Sequence, residues 1–183
     1  VNKLICAANE NNVLTEFIIS GIYDRNRDFK RTITPSMDIL ISSNLERLLY
    51  DMNGNNPELI NKWMQQLKEA GRYEVDNETY ERIKALFWSE YSDEKETIDT
   101  ITSVSERYGY LIDTHTAVGV DVYDKYVISS GDMTKSVVAS TASPFKFNAS
   151  VSEAVLGKNN TEGRSEFELL KYLSDSTGLK VPK

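Results

Sequence analysis

A short apolar run near the amino terminus, Lys3 to Ala8, most constrains how this chain can fold, because a polar turn and a helical pattern follow it at once. A short apolar run bounded by turn residues is typical of a buried strand. Asn9 to Asn12 forms the polar turn, and either of its last two asparagines can cap a helix through Val13 to Ile19. Gly21 then ends the helix in the left-handed conformation. Strand, turn and helix make the first half of an α/β unit.

A second strand is predicted over Val137 to Ser140, and long helical patterns separate it from the first. Ser43 and Glu46 have the spacing of a capping box at the start of one such helix. Apolar residues at helical spacing predict helices over residues 43–52, 57–70, 78–88, 93–108, 114–126, 147–156 and 165–173. Few, short, apolar strands among many helices favour a parallel sheet covered on both faces. We expect a helix-rich α/β fold, with a partial three-layer parallel sheet flanked by helices.

Length and composition exclude several classes of protein. The 183 residues fit one domain, and the net charge of −7 argues against nucleic-acid binding, which relies on Lys and Arg. Cys6 and His115 are the only residues of their types, which excludes an internal disulfide and a Cys-based or multi-His metal site. No apolar run approaches the ~18 residues of a membrane span, and no signal peptide is evident. We therefore expect no metal, no membrane association and a cytoplasmic location.

Two predicted strand exits are rich in hydrogen-bonding side chains, Asn9 to Asn12 and Ser140 to Ser143. Ligands of open parallel sheets bind outside the carboxyl ends of the strands. A hydroxyl can partner a ring nitrogen without bringing a charge, which suits a pyridine-type cofactor. The alternative is that these residues satisfy exposed backbone groups at the strand ends. The pattern alone leaves both interpretations open.

His115 and Lys146 are further candidates for chemistry. His115, in DTHTAVGV, could be a general base or could hold a loop at a helix terminus. Lys146 lies between two phenylalanines, where it could meet a phosphate or carboxylate, or could lay its stem along the core edge. The chain has no glycine-rich phosphate cradle and no nucleophile–base pair of the kind a hydrolase uses.

Four stretches together resemble one family. They are LICAANENNVLTEF, PSMDILISSNLERLL, YLIDTHTAVGV and STASPFKF, which occupy residues 4–17, 35–49, 110–120 and 140–147. In this order they resemble the carboxyl-terminal part of threonine synthase, a pyridoxal 5'-phosphate (PLP) enzyme of fold type II. Residues 1–183 are expected to form a single domain, the carboxyl-terminal fragment of a fold-type-II PLP enzyme. Within it, residues 56–103 are expected to form a helical insert, which is the part of the chain that fits the resemblance poorly.

The activity implied by the resemblance is the conversion of O-phospho-L-homoserine and water to L-threonine and phosphate. The family's motif places a threonine on the pyridine nitrogen of PLP, which corresponds to Thr141, or to Ser140 if the register shifts by one. Residues that line the site or contact substrate would include Asn9, Asn11 and His115, together with Lys146. The implied partners are the small-molecule substrate and the amino-terminal part of the same polypeptide.

Two parts of the family's machinery have no match in this sequence, the Schiff-base lysine and the glycine-rich phosphate loop. No catalytic residue is therefore assigned. We expect the isolated chain neither to bind PLP tightly nor to turn over substrate, and we expect exposed sheet edges and apolar faces to make it self-associate. The competing interpretation is a non-catalytic binding or interaction module derived from the same fold.

Overall fold

The computed structural model describes residues 1–182 and has the helix-rich α/β architecture that the sequence predicts. Its strands are β1 (Leu4–Ala8), β2 (Ile22–Asp24), β3 (Arg72–Glu74) and β4 (Phe87–Tyr91). Its helices are α1 (Val13–Ser20), α2 (Leu45–Met52), α3 (Pro57–Ala70), α4 (Asn77–Leu86), α5 (Glu94–Tyr108), α6 (Thr114–Ser130), α7 (Asn148–Leu156), α8 (Lys158–Thr161) and α9 (Glu166–Thr177). Short 3-10 turns lie at Pro35–Met37 and Pro144–Phe147.

The parallel pairing joins β1 to β4, and a separate antiparallel pair joins β2 to β3. The register runs from Leu4 opposite Phe87 to Ala8 opposite Tyr91. The predicted helix over residues 78–88 is therefore wrong in its last two positions, where the chain turns into β4. Short apolar runs are ambiguous between helix and strand, and here the pairing with β1 decides. The segment 56–103, expected as a helical insert, also contains β3 and β4, and β4 is half of the parallel pair.

The predicted strand over Val137 to Ser140 is wrong, because nothing in residues 1–182 pairs with it. Val137 is 97% exposed, and the segment runs along α6 instead of entering a sheet. Val138 packs against Gly119 of α6 so closely that a Cβ on this glycine would lie 3.1 Å from the valine Cγ1. The missing side chain at Gly119 thus lets the segment approach the helix.

Capping explains most of the helix boundaries. The Asn56 side chain accepts hydrogen bonds from the backbone of Glu58 and Leu59, and Asp93 forms a capping box with Glu96. Gly21 ends α1 at φ 74°, as predicted. The predicted Ser43–Glu46 capping box is wrong, because α2 begins at Leu45 and its cap position, Asn44, makes no side-chain cap hydrogen bond. Asn12 likewise occupies the cap position of α1 without a side-chain cap hydrogen bond.

Two hydrophobic clusters hold these elements together. In the first cluster the Tyr23 and Tyr73 rings stack 5.3 Å apart, nearly parallel. Its buried members include Val13, Phe17, Tyr23, Leu49, Trp63, Tyr73 and Ile83. The second cluster includes Ile101, Leu111, Ile112, Ala117, Phe145, Val151 and Leu173. Each fully buried Val, Leu, Ile or Phe side chain among them contributes about 1.5–3 kcal/mol to the free energy of unfolding.

Across residues 1–182, every helix is too short or too polar to cross a lipid bilayer.

Helix α6 connects the sheet with the second cluster. One side of α6 packs on β1 and β4, and another side packs on α5. Its first turn meets both the 3-10 turn at Pro35–Met37 and the segment that carries Ser140. The amino-terminal end of α6 is therefore where the motif stretches found in the sequence come together.

Candidate functional site

Asp113 lies at the centre of the candidate site, at the cap position of α6. Its carboxylate accepts hydrogen bonds from the backbone N–H of His115 at 2.9 Å and of Thr116 at 3.4 Å. The residue is only 1% exposed. Burial raises the pKa of Asp113, but hydrogen bonds from His115 and Thr116 lower it by more, so the net pKa lies below its ordinary value. The positive end of the helix dipole adds to this preference for a charged carboxylate.

His115 connects Asp113 to the segment that precedes α2. Its Nδ1 lies 3.2 Å from Asp113 Oδ1, and its Nε2 accepts a hydrogen bond from the Ser36 backbone N–H at 3.2 Å. Both contacts are satisfied together when Nδ1 carries the proton, so the network assigns this tautomer. The imidazole also packs against Phe147, with ring centroids 4.6 Å apart. His115 thus holds three parts of the chain together.

The Ser140 hydroxyl meets the same network from the other side. The Thr116 hydroxyl is a donor with two acceptors within reach, the Ser140 hydroxyl oxygen at 2.9 Å and the Asp113 carboxylate. Thr141 follows directly and is exposed, and its hydroxyl has no hydrogen-bond partner within residues 1–182. The two candidate cofactor-binding hydroxyls therefore lie at the surface beside the first turn of α6, outside the hydrophobic core.

Lys146 lies near this network but outside it. Its side chain is exposed, and the ammonium lies 5.4 Å from the centroid of the Phe147 ring. Phe147 is therefore in contact with both the His115 imidazole and the lysine ammonium. Within residues 1–182 the ammonium makes no ion pair, so it can meet an anionic group.

Asn9 and Asn11 lie in a different network, at the carboxyl end of β1. Asn9 donates to Asp38 at 2.7 Å and to the Thr34 hydroxyl at 2.9 Å. Asn11 exchanges two hydrogen bonds with the Lys30 backbone, at 2.8 and 2.9 Å. Both asparagines are almost fully buried. The structure thus brings Ser140, Thr141, His115 and Lys146 to one region, and it engages Asn9 and Asn11 in a separate network.

Two residues of the site escaped the sequence interpretation. Asp113 is recognisable from the sequence only as a helix cap. Thr116, three residues later, has no sequence pattern that marks it as part of a site. Their link to Ser140 spans 24 positions and exists only in the folded chain. Among residues 1–182, no three His, Cys, Asp or Glu side chains cluster so that they could hold a metal ion.

The fold and the site define a helix-rich α/β protein with two exposed hydroxyls beside the amino-terminal end of α6. Comparison with known proteins shows which family has this combination. The family description "Threonine synthase, C-terminal" matches residues 116–177. Threonine synthase of Saccharomyces cerevisiae is 38% identical over 95% of this chain, and the match covers 37% of the yeast protein.

Solved structures agree with the sequence comparison. The crystal structure of yeast threonine synthase matches 95% of this chain and 37% of its own length, with 36% identity and a TM-score of 0.79. PLP-bound threonine synthase from Brucella melitensis matches 93% of this chain and 36% of its own length, with 33% identity and a TM-score of 0.76. The chain is therefore related to threonine synthases and is similar in sequence and fold to their carboxyl-terminal part. It spans little more than a third of the length of these relatives.

Proposed function

We propose that this chain serves as the carboxyl-terminal part of a threonine synthase, which converts O-phospho-L-homoserine and water to L-threonine and phosphate with PLP. The observation that carries the proposal is the Thr141 hydroxyl, which is exposed and without a partner in residues 1–182, within the STASPFKF motif. Its neighbour Ser140 is fixed to α6 through Thr116. An exposed hydroxyl without a hydrogen-bond partner, on a segment that is held against a helix, is suited to bind a ligand.

The residues present fit the pyridine ring of PLP. A hydroxyl at position 141 can donate a hydrogen bond to the ring nitrogen, and being neutral it does not favour the protonated ring as a carboxylate would. When bound, PLP supplies an electron-withdrawing ring that stabilises negative charge at the substrate carbon. Thr141 then orients the ring, and the anchoring of Ser140 limits how far Thr141 can move. These contributions concern binding and geometry rather than proton transfer.

Lys146 and His115 have different roles in this proposal. The exposed Lys146 ammonium can pair with the phosphate or carboxylate of the substrate. His115 is assigned to holding the loop at Ser36 in place, because its two ring nitrogens are engaged by Asp113 and by the Ser36 backbone. Of the two alternatives that the sequence left open for His115, the hydrogen bonds support the loop-holding one.

The isolated chain is proposed to be inactive, since its sequence matches neither the Schiff-base lysine nor the phosphate loop of the family. The amino-terminal part of the polypeptide would supply both.

A cytoplasmic location is proposed as well. It is supported by the single cysteine, Cys6, which is a free thiol in the structure. Burial raises the pKa of this thiol, and the hydrogen bond with Ser89 only partly offsets the effect.

The test uses the whole open reading frame that contains these residues, expressed beside the isolated chain. PLP is titrated into both, and its binding is followed by absorbance. Activity is measured as the release of phosphate from O-phospho-L-homoserine. We expect a protein-bound cofactor spectrum and phosphate release from the whole polypeptide, and the spectrum of free PLP from the isolated chain. A reading frame that lacks a cofactor-binding lysine and releases no phosphate would refute the enzyme and support the non-catalytic interaction module.

A further inference from the structure

The corner between α2 and α3 contains the only Asn–Gly pair in the 183-residue sequence, Asn53–Gly54. An asparagine before a glycine is chemically labile, because glycine has no side chain to shield its nitrogen from the asparagine carboxamide. The turn itself requires glycine here, since Gly54 follows the last turn of α2 in the left-handed region, at φ 75°. The labile pair is therefore a consequence of how α2 ends.

The reaction at such a pair is an intramolecular displacement. The Gly54 nitrogen gives up its proton and attacks the Asn53 Cγ, and the carboxamide nitrogen takes up a proton and leaves as ammonia. Water then opens the cyclic imide at either of its carbonyl groups, which leaves an aspartate or an isoaspartate at position 53. Nothing is oxidised or reduced, and water is the only co-reactant.

The backbone of the folded corner keeps the two reacting atoms apart. Ring closure requires the Gly54 nitrogen to lie on the same side of the Asn53 Cα–C bond as the Asn53 side chain. The Asn53 ψ angle is 11°, so the Gly54 nitrogen nearly eclipses the Asn53 backbone nitrogen instead. The following peptide is also fixed, because the Asn55 N–H donates to the Tyr50 carbonyl at 2.9 Å. The Asn53–Gly54 peptide therefore cannot rotate into the reactive conformation while α2 keeps its last turn.

The Asn53 carboxamide is held as well, by Asn56 at the start of α3. Asn53 Nδ2 donates to the Asn56 carbonyl at 2.8 Å, and Asn53 Oδ1 accepts from the Asn56 N–H at 2.9 Å. Asn56 is itself fixed, since its side chain caps α3 by accepting from the N–H groups of Glu58 and Leu59. Turning the carboxamide toward Gly54 therefore breaks both hydrogen bonds of the pair.

We propose that Asn53 is a latent modification site, which the closed α2–α3 corner keeps unreactive and which deamidates once the corner opens. The product cannot restore the corner. A carboxylate at position 53 still accepts from the Asn56 N–H but has no proton for the Asn56 carbonyl, and its charge lies at the carboxyl end of α2, where the helix dipole disfavours it. An isoaspartate lengthens the backbone of the turn. Each opening that leads to reaction is therefore irreversible.

The rate of deamidation tests whether the fold protects the site. The 183-residue chain, shown to be folded by its urea transition, is incubated in mildly alkaline buffer with and without denaturing urea. Conversion of Asn53 is followed by peptide mapping and mass spectrometry. We expect the folded chain to react on the order of tenfold more slowly than the unfolded chain, the factor that the two hydrogen bonds supply. Equal rates with and without urea would overturn the proposal.

Variants at helix caps show whether the corner, rather than the whole molecule, must open. Asn56→Ala removes the cap of α3, so deamidation at Asn53 should become about fivefold faster, whereas Asn56→Ser keeps a capping oxygen and should react at close to the wild-type rate. Ser165→Ala removes the cap of α9 and is the matched control that should leave the rate unchanged. Equal acceleration by Asn56→Ala and Ser165→Ala would mean that the whole chain must unfold, and it would overturn the corner as the protecting element.

Asn53→Asp reproduces the aspartate product and tests its effect on the corner. We expect the N–H groups of Glu58 and Leu59, in the first turn of α3, to exchange with solvent about fivefold faster than in the wild-type chain, because one hydrogen bond of the pair is lost. The N–H of Glu168, in the first turn of α9, is the internal control and should exchange as before. Unchanged exchange at Glu58 and Leu59 would show that the Asn53 carboxamide does not hold the corner, which would contradict the proposal.

Discussion

Two hydrogen-bond networks in this molecule each centre on one aspartate, and they differ in where their hydrogen bonds end. Asp38 accepts from Asn9 at 2.7 Å, from Asn11 at 3.1 Å, and from both the hydroxyl and the backbone N–H of Thr32, at 2.7 and 2.9 Å. These partners also bond to one another, since Asn9 donates to the Thr32 hydroxyl at 2.9 Å and its own Oδ1 accepts from the Asn11 backbone N–H. The Asp113 network instead runs outward, from a buried carboxylate to hydroxyls at the surface.

The contrast shows that two clusters of polar residues with similar composition can serve different purposes. The Asp38 network closes on itself, which is how buried polar groups are normally satisfied, and its amides have little capacity left for a ligand. The Asp113 network ends at Ser140, beside the exposed Thr141. Composition alone did not distinguish the two predicted strand exits, but the hydrogen bonds of the two clusters do. Whether Asn9 or Asn11 lines a substrate site stays a prediction.

Removal of the Asp38 carboxylate should have the largest effect on stability. Asp38→Ala removes the acceptor that Asn9, Asn11 and Thr32 share, and because both asparagines are buried, each of their donors left unpaired costs about 1–3 kcal/mol. We expect the free energy of unfolding to fall by about 3 kcal/mol, as measured by urea denaturation. Asp38→Asn, which keeps one acceptor oxygen, is the matched control and should lose less. A loss below about 1 kcal/mol would mean that the closed network is not a source of stability.

Removal of the Asp113 carboxylate should destabilise the chain less. Asp113→Ala deletes the cap of α6, a change that costs about 0.5–2 kcal/mol, and frees the Thr116 hydroxyl to bond elsewhere. We expect a loss of about 2 kcal/mol by the same urea measurement, together with a change in the His115 ¹⁵N signals. Asp113→Asn retains a capping oxygen and should retain most of the stability. A larger loss than in Asp38→Ala would reverse the ranking of the closed and open networks.

The pH dependence of stability should isolate the charge of Asp113. Its pKa is lowered in the folded chain, so its contribution is complete above the ordinary value of about 3.9 and is lost as the pH falls through the lower folded value. We therefore expect the stability difference between the wild-type chain and Asp113→Asn to be constant from pH 7 to about pH 5 and to shrink below about pH 4. A difference that grows on acidification would contradict a lowered pKa.

How far the sequence predicts this structure depends on whether the signal is local. Gly21 was predicted to end α1 in the left-handed conformation, and it does so because this signal depends on neighbouring residues only. Strand β4 was missed, because Phe87 and Trp88 continue a helical spacing and become a strand only through pairing with β1. Val137–Ser140 has a strand-like composition, and nothing in residues 1–182 pairs with it.

The candidate site shows the same division. The hydroxyls of Ser140 and Thr141 could be found from their motif. The roles of Asp113 and Thr116 could not, since they depend on a contact between α6 and a segment 24 residues away. In the same way, no local pattern shows that Asn9 pairs with Asp38, 29 residues later. Sequence therefore predicted the hydroxyls that are proposed to meet a ligand, and only the fold revealed the groups that hold them.

Thr141→Val should have the smallest effect on stability and the most specific effect on function. The side chain is exposed and has no hydrogen-bond partner within residues 1–182, so we expect the free energy of unfolding to change by less than about 0.5 kcal/mol. In the whole polypeptide the same change removes the proposed donor to the ring nitrogen, and PLP should bind about tenfold more weakly, the order expected from one lost hydrogen bond. Thr141→Ser, which keeps the hydroxyl, should bind normally. If Thr141→Val destabilised the chain as much as Asp113→Ala, the Thr141 hydroxyl would belong to a closed network like that of Asp38, and the contrast between the two networks would fail.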